Sequence, residues 1–324
     1  VPDATIVVTE IDGDFTGSTT TGPDGAWVVE LPRRAGTYEV ELDLATLPSG
    51  VELREDGTSV LSTSIRQPGQ VRRVTFLLGE GTSTATSTAT QIAQAAVNGI
   101  KFGLIIAMSS IGLSLIFGTT GLINFAHGEL VTFGAATAWW LNVQTIEAGL
   151  VVAALLAVIA GGALGAGLEK GIMAPLRRRR LGSFQFVVVT IGLSLIGRQL
   201  IQMWIGEGNR GYRQYQIQTP WELGPIDLTP RDATIIIASV VVLVAVASVL
   251  QFTRMGKAMR AVSDNADLAA SSGIAVDRII LSVWVAGAAL AALGGVFFGL
   301  SEIVKFDMGF RLLLLIFAAV VLGG

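Results

Sequence analysis

The sequence predicts a multi-span α-helical membrane domain preceded by a small all-β sandwich domain. Three observations point there. Of the 324 residues 51% are hydrophobic and only 15% charged, with 39 glycines, a composition suited to lipid and to close helix approach. From residue 92 onward apolar runs of about twenty residues recur, the length that crosses a bilayer. Before residue 80 the pattern changes to short alternating segments set between Gly, Pro and Asp turns, which marks antiparallel strands. Charge divides in the same way. Residues 1–90 carry six basic and thirteen acidic side chains, net −7, whereas residues 91–324 carry sixteen and twelve, net +4, so the two parts are physically different.

Composition also removes several function classes. The chain has no cysteine and one histidine, which excludes a disulfide framework, a thiolate-ligated metal and a multi-histidine centre within it. It contains no G-x-x-x-x-G-K-[ST], H-E-x-x-H or G-x-S-x-G. A phosphate-cradling loop, a zinc-protease helix and a hydrolase nucleophile elbow are therefore missing. No cofactor is expected on this chain.

Segments 5–11, 26–31, 38–42 and 71–78 alternate with period two, and Gly22-Pro23-Asp24-Gly25 reads as a turn between them. Residues 19–43 resemble the carboxypeptidase-regulatory-like modules, which implies a β-sandwich here. Asp12, Asp14 and Asp24 lack the regular spacing of a calcium loop and read as turn formers. Residues 79–90, GEGTSTATSTAT, have no periodicity and almost no charge and form a tether. The expected division is a domain over 1–80, a Ser/Thr-rich linker over 81–92 and a transmembrane domain over 93–324.

Seven apolar segments follow: residues 92–117, 130–142, 150–168, 184–205, 233–250, 279–300 and a shorter one at 312–324. Lys101 interrupts the first near one end, where its ammonium can snorkel to the interface. Trp139 and Trp140 at the end of the second suit an interfacial belt. Gly161, Gly162 and Gly165 in the third have small-xxx-small spacing for close packing. The fourth carries Arg198 near its middle, an intramembrane charge that needs protein or water and a side-chain or carbonyl partner. The Val- and Ile-rich fifth reads as lipid-facing.

The four arginines at 177–180 and Arg254, Lys257 and Arg260 flank spans, so they mark the cytoplasmic side rather than a nucleic-acid site. Counting crossings from either cluster places residue 91 and the β domain outside. It also places the loop 206–231, with Tyr212, Tyr215 and Trp221, where a soluble partner can reach it. The hexapeptide IGLSLI occurs at 111–116 and 191–196, on spans of opposite direction, as internal repeats in transporters do. Val1 is not an initiator Met and the last apolar run is short, so further segments are expected upstream of Val1 and downstream of Gly324.

Between the first two spans runs Gly118-Thr119-Thr120-Gly121-Leu122-Ile123-Asn124-Phe125-Ala126-His127-Gly128-Glu129. Glycines and polar residues inside apolar sequence predict broken backbone at or near membrane depth, where side chains must satisfy freed backbone groups. Its second part resembles the G-x-I-N-F-A-H-G-E signature of permeases for branched-chain amino acids and of their relatives for urea and short amides. By that resemblance Gly121, Asn124, Phe125, His127, Gly128 and Glu129 form a broken-helix motif on the translocation path. Two roles stay open for the polar three: bracing the broken helix, or touching the solute.

The polar interruption at 252–278 reads as a short cytoplasmic helix, capped by Ser263 or Asp264, continued by Leu268, Ala269 and Ala270 and stopped by Gly273. Asp267-Leu268-Ala269-Ala270-Ser271-Ser272-Gly273, followed by Ile279 and Ile280, resembles the E-A-A-x-x-x-G coupling loop of ABC importer permeases. Asp267 stands for the Glu and Leu268 for one Ala. An ordinary capped helix is the plainer alternative. The resemblance makes Asp264, Asp267, Leu268, Ala269, Ala270, Gly273 and Ile274 the candidate ATPase-coupling residues.

Together these resemblances, over residues 93–324, imply a permease of the branched-chain amino-acid type in an ATP-driven ABC importer. They imply a non-catalytic subunit in the cell-membrane bilayer that translocates branched-chain or other hydrophobic amino acids. It would pair with a second permease subunit and two cytoplasmic ATPase subunits, which bind the ATP and Mg, and with an extracytoplasmic solute-binding protein. A β domain is not a usual part of that family. The loop at 264–273 is expected to sit in a cleft of the ATPase and to tilt spans five and six. No convergent charged cluster is expected among the spans, so a tight solute site is not required. A urea or short-amide permease shares the motifs. A membrane-anchored adhesion or sensory protein would leave them unused, and a membrane enzyme would need paired acid and base groups in the spans.

Overall fold

The computed structural model describes residues 1–11, 13–23, 25–32, 36–48, 51–53, 58–65, 74–76, 78, 88–179, 181–215, 218–224 and 226–323. The chain divides into two units, Val1–Ser87 and Thr88–Gly324. Asp12, Asp24, Arg180, Gly324 and most of the tether lie outside the described residues.

In the first unit β1 (Thr5–Glu10), β2 (Thr16–Thr20), β3 (Gly36–Leu42) and β4 (Val60–Ile65) form one antiparallel sheet in the order β2-β1-β3-β4. Ile6 pairs with Leu42, Val8 with Val40 and Val40 with Leu61. Successive side chains alternate faces, so Ile6, Val8, Tyr38, Val40 and Leu42 all enter one core. Trp27, Val29, Leu31, Val74 and Phe76 cover it. Two sequence expectations change here. Residues 26–31 keep their in–out alternation but belong to no strand, because alternation selects a face and says nothing about a ladder partner. The polar β2, TGSTT, and β4, VLSTSI, are strands that hydrophobic patterning did not flag. Of the expected strand 71–78, residues 71–73 and 77 are not described, and Leu78 makes a single bridge to Leu53.

The second unit is built on α9 (Val276–Ser301), whose apolar stretch is 61% buried against 17–39% in the other four long apolar helices. Around it pack α1 (Thr88–Thr120), α2 (His127–Trp139) and α3 (Leu150–Leu168). Small residues let the backbones meet. A Cβ on Gly112 would stand 2.5 Å from the Gly287 carbonyl oxygen, and one on Gly165 would stand 2.5 Å from that of Trp284. α3 continues through a π-helical turn, Glu169–Met173, into α4 (Ala174–Arg178). Arg177 closes that turn with an ion pair to the buried Glu169 at 2.5 Å.

At the periphery α5 (Ser183–Ile205) and α6 (Pro230–Phe252) turn Val188, Leu195 and Met203, and Ile237, Val241 and Val244, outward. α10 (Met308–Gly323) packs on α1 and α2. Among the described residues α1, α3–α4, α5, α6 and α9 are long and apolar enough to cross a membrane. The expected second span starts earlier: α2 has thirteen residues, nearly all buried, and continues into a π-helical turn, Trp140–Thr145. Trp139 is buried under the Arg210 guanidinium rather than interfacial.

The loop after α5 is tied down. Arg210 exchanges backbone hydrogen bonds with Val304 at 2.9 Å, and Tyr212 is buried, its hydroxyl donating to the Ala135 carbonyl at 3.3 Å. Burial raises the pKa of that phenol. A hairpin of β5 (Trp221–Leu223) and β6 (Ile226–Leu228) follows. Gln94 on α1 bonds both backbone groups of Asp227. Lys101 does not simply snorkel: its ammonium pairs with Asp232, in the first turn of α6, at 3.0 Å.

Candidate functional site

α1 stops at Thr120 because its last turn is consumed by side chains. The hydroxyls of Thr119 and Thr120 donate to the carbonyls of Leu115 and Ile116 at 2.8 and 2.6 Å. Gly121 then turns into the left-handed region, φ +65°, which a side chain would disfavour. The backbone is open over residues 121–126, and α2 starts at His127. The break is therefore shorter than its sequence suggested, with His127, Gly128 and Glu129 forming the first helical turn after it.

Each of the three polar residues does two things. Asn124 accepts the Ala126 N–H on Oδ1 at 3.0 Å and the His127 N–H on its carbonyl at 3.2 Å. His127, fully buried, meets the Ser109 carbonyl of α1 through Nε2 at 2.9 Å. The acceptor is a carbonyl, so that nitrogen carries the proton. Glu129 accepts the Ser194 hydroxyl of α5 on Oε1 at 3.0 Å. The other polar atoms, Asn124 Nδ2, His127 Nδ1 and Glu129 Oε2, are buried with no protein partner. Bracing uses one side-chain atom of each residue and leaves another without a protein partner. Gly128 packs against Gly309, whose N–H donates to the buried Thr132 hydroxyl at 3.0 Å. Phe125 lies against Phe317 with centroids 5.0 Å apart.

A polar stripe on α5 faces the break. Thr190 donates to the Ile123 carbonyl at 3.3 Å, Ser194 reaches Glu129, and Arg198 stacks over the Phe310 ring at 4.7 Å. Spacing of four residues puts all three on one helix face. Arg198 thus has a side-chain partner, and it is an aromatic ring. Thr190 and Ser194 were missed, although their spacing from Arg198 was legible. Among the described residues no group of His, Asp and Glu could hold a metal ion. The arrangement can offer hydrogen bonds inside apolar helices.

The second candidate element is a helical elbow. α7 (Arg254–Asp264) starts at Thr253, whose hydroxyl accepts the Gly256 N–H at 3.1 Å. α8 (Ala266–Ser271) starts at Asn265, whose Oδ1 accepts the Leu268 N–H at 2.9 Å. The cap is therefore Asn265; Ser263 and Asp264 end the preceding helix, an amphipathic one that the loop reading did not foresee. Gly273, φ +87°, ends α8 with its N–H on the Ala270 carbonyl and that of Ile274 on Ala269, both 3.0 Å. This is a Schellman closure. Leu268 is 64% exposed, with Asp264, Asp267 and Ala270 also outward, whereas Ala269 is buried. Ala269 and Ile274 join an apolar cluster with Met259, Val262, Ile280 and Trp284, and that cluster also contains Ile116 and Leu122 at the break.

Residues 95–324 match the family described as branched-chain amino acid transport system / permease component. The high-affinity branched-chain amino acid transport system permease protein LivH of Salmonella typhimurium is 29% identical over 242 residues, covering 70% of this chain and 77% of LivH. LivH of Escherichia coli K12 is 28% identical with the same coverage. BraD of Pseudomonas aeruginosa, also named a branched-chain amino acid permease protein, is 24% identical over 250 residues, 71% of this chain and 78% of BraD. No solved structure matches the chain.

Proposed function

We propose, from the premise that this chain belongs to the permease-component family of branched-chain amino acid transport systems, that it carries branched-chain or other hydrophobic amino acids through the membrane in an ATP-driven importer. It is a multi-pass membrane subunit of the permease kind, not an enzyme of its own. The observation that bears most on how it works is the shared apolar cluster: Ala269 and Ile274 of the elbow and Ile116 and Leu122 of the break pack in one body. A push on the elbow therefore reaches the polar break without crossing a flexible joint.

In this reading α8 docks in a cleft of a cytoplasmic ATPase through Leu268, Ala270 and Asp267, while Ala269 and Gly273 keep its shape. ATP and Mg stay on two such ATPase subunits. A second permease completes the pore, and a solute-binding protein delivers the amino acid from outside. Nucleotide-driven closure tilts α6 and α9, and access alternates around the break. Asn124, His127 and Glu129 offer their unpartnered atoms to the passing solute. The basic clusters at 177–180 and 254–260 support a cytoplasmic elbow and an extracytoplasmic first unit.

The test is ATP-dependent uptake of labelled leucine, and of urea, in proteoliposomes carrying this chain with its neighbouring subunits. Gly273→Arg and Leu268→Glu are expected to abolish leucine uptake while the complex still inserts. Leu268→Glu is a better probe than Ala269→Glu, because a buried glutamate would disrupt the elbow itself. Uptake of urea alone would move the solute to the amide class. Uptake of neither, with binding confined to residues 1–87, would sink the transport reading.

A further inference from the structure

The carbonyls at the end of α1 can be followed one by one, since the last four of a helix have no partner within it. Those of Leu115 and Ile116 take threonine hydroxyls, and that of Phe117 takes the Gly121 N–H at 2.8 Å. The next, on Gly118, would take the Leu122 N–H if the helix continued. Instead, the Leu122 N–H donates to the Thr120 hydroxyl at 3.3 Å. The donor that fills the place is Ser263 Oγ, 2.5 Å from the Gly118 carbonyl oxygen and 145 residues away in the chain. Ser263 is the penultimate residue of α7, two positions before the Asn265 that caps α8. The end of α1 is thus capped by the elbow.

We infer that Ser263 is the positioning residue through which the α7–α8 elbow holds or releases the break at 121–126. The inference rests on the coupling reading above and deepens it. The apolar cluster keeps its contacts through small relative shifts of the elbow and the break, whereas the Ser263 bond is directional and short in reach. A displacement of α7 by more than about 1 Å lengthens it past hydrogen-bond range. The Gly118 carbonyl, exposed as Ser263 is, then passes to water, and without that cross-link the last turn of α1 is free to unwind toward Gly121, which already has a left-handed backbone. Release of that turn frees the segment carrying Asn124, so their unpartnered atoms become reachable only when the ATPase has moved the elbow.

The test uses the full chain in its complex with ATPase, second permease and binding protein, comparing wild type, Ser263→Ala and Ser263→Thr. Leucine taken up per ATP hydrolysed is expected to fall about three- to tenfold in Ser263→Ala, the worth of one hydrogen bond, with assembly and ATP hydrolysis kept. Ser263→Thr retains the hydroxyl and is expected to restore the ratio. Hydrogen exchange of peptides covering 118–126 is expected to speed up in Ser263→Ala alone. An unchanged ratio with unchanged exchange overturns the inference, as does a parallel loss of uptake, hydrolysis and assembly, which marks a purely structural bond. If the wild type takes up no leucine, the transport reading fails, and the exchange arm still decides whether Ser263 holds the break.

Discussion

Gly112 and Gly192 occupy the same place in the repeated hexapeptide IGLSLI, and they do different work. A Cβ on Gly112 would press on the Gly287 backbone of α9, whereas one on Gly192 meets nothing within 4 Å. Gly112→Ala is therefore expected to destabilise the helical unit by about 1–3 kcal/mol through overpacking. Gly192→Ala is expected to stabilise it by about 0.5–1 kcal/mol, the gain of alanine over glycine inside a helix. Thermal unfolding of the two purified variants in detergent checks both signs at once; a fall in both would show that Gly192 is packed too. The contrast also measures what residue types reveal. Glycine in an apolar span announces close approach somewhere, but two identical hexapeptides cannot say which of them is approached. The orphaned atoms of Asn124, His127 and Glu129 were equally out of view, since the roles of a polar side chain depend on what lies opposite each atom.

At the scale of elements, the joint between α1 and α6 is the clearest case of a contact that patterning misread. Lys101, well inside α1, and Asp232, in the first turn of α6, are each mostly buried and form an ion pair at 3.0 Å. Lys101→Met leaves the Asp232 carboxylate only the Arg231 guanidinium, 3.5 Å away, and unfolding stability is expected to drop by about 2 kcal/mol. Lys101→Met with Asp232→Leu is expected to recover most of it, because two apolar partners replace a desolvated pair. Urea unfolding of the single and double variants reads the coupling, and equal losses in both would refute it. Helix positions themselves were legible from apolar runs, and so was the stop at Gly273. The start of α8 was not: Ser263, Asp264 and Asn265 are all good caps, and the choice among them depends on the kink that α7 makes against α1 and α9.

For the whole molecule, the two units have separate cores: Ile6, Tyr38 and Val40 in the first, and the small-residue seams around α9 in the second. Removing residues 1–87 is expected to leave the unfolding temperature of the helical unit within about 2 °C, and leucine uptake within about twofold, since surface changes far from a core cost little. Protease added outside spheroplasts is expected to cut the first unit and spare the elbow; cleavage only after lysis would reverse the proposed orientation. The amino-acid sequence by itself determined the membrane character, the order and spacing of the apolar helices, the strand-rich first unit and the two motifs. Those properties depend on burial of apolar surface and on local backbone preference, both of which act within about twenty residues of chain. Tertiary structure alone decided that α2 is a short buried helix, that Glu129 meets Ser194 beside Arg198, and that Ser263 caps α1. The last two join residues 65 and 145 positions apart, and such contacts are set by how the helices pack around α9, a collective fit that no local stretch encodes.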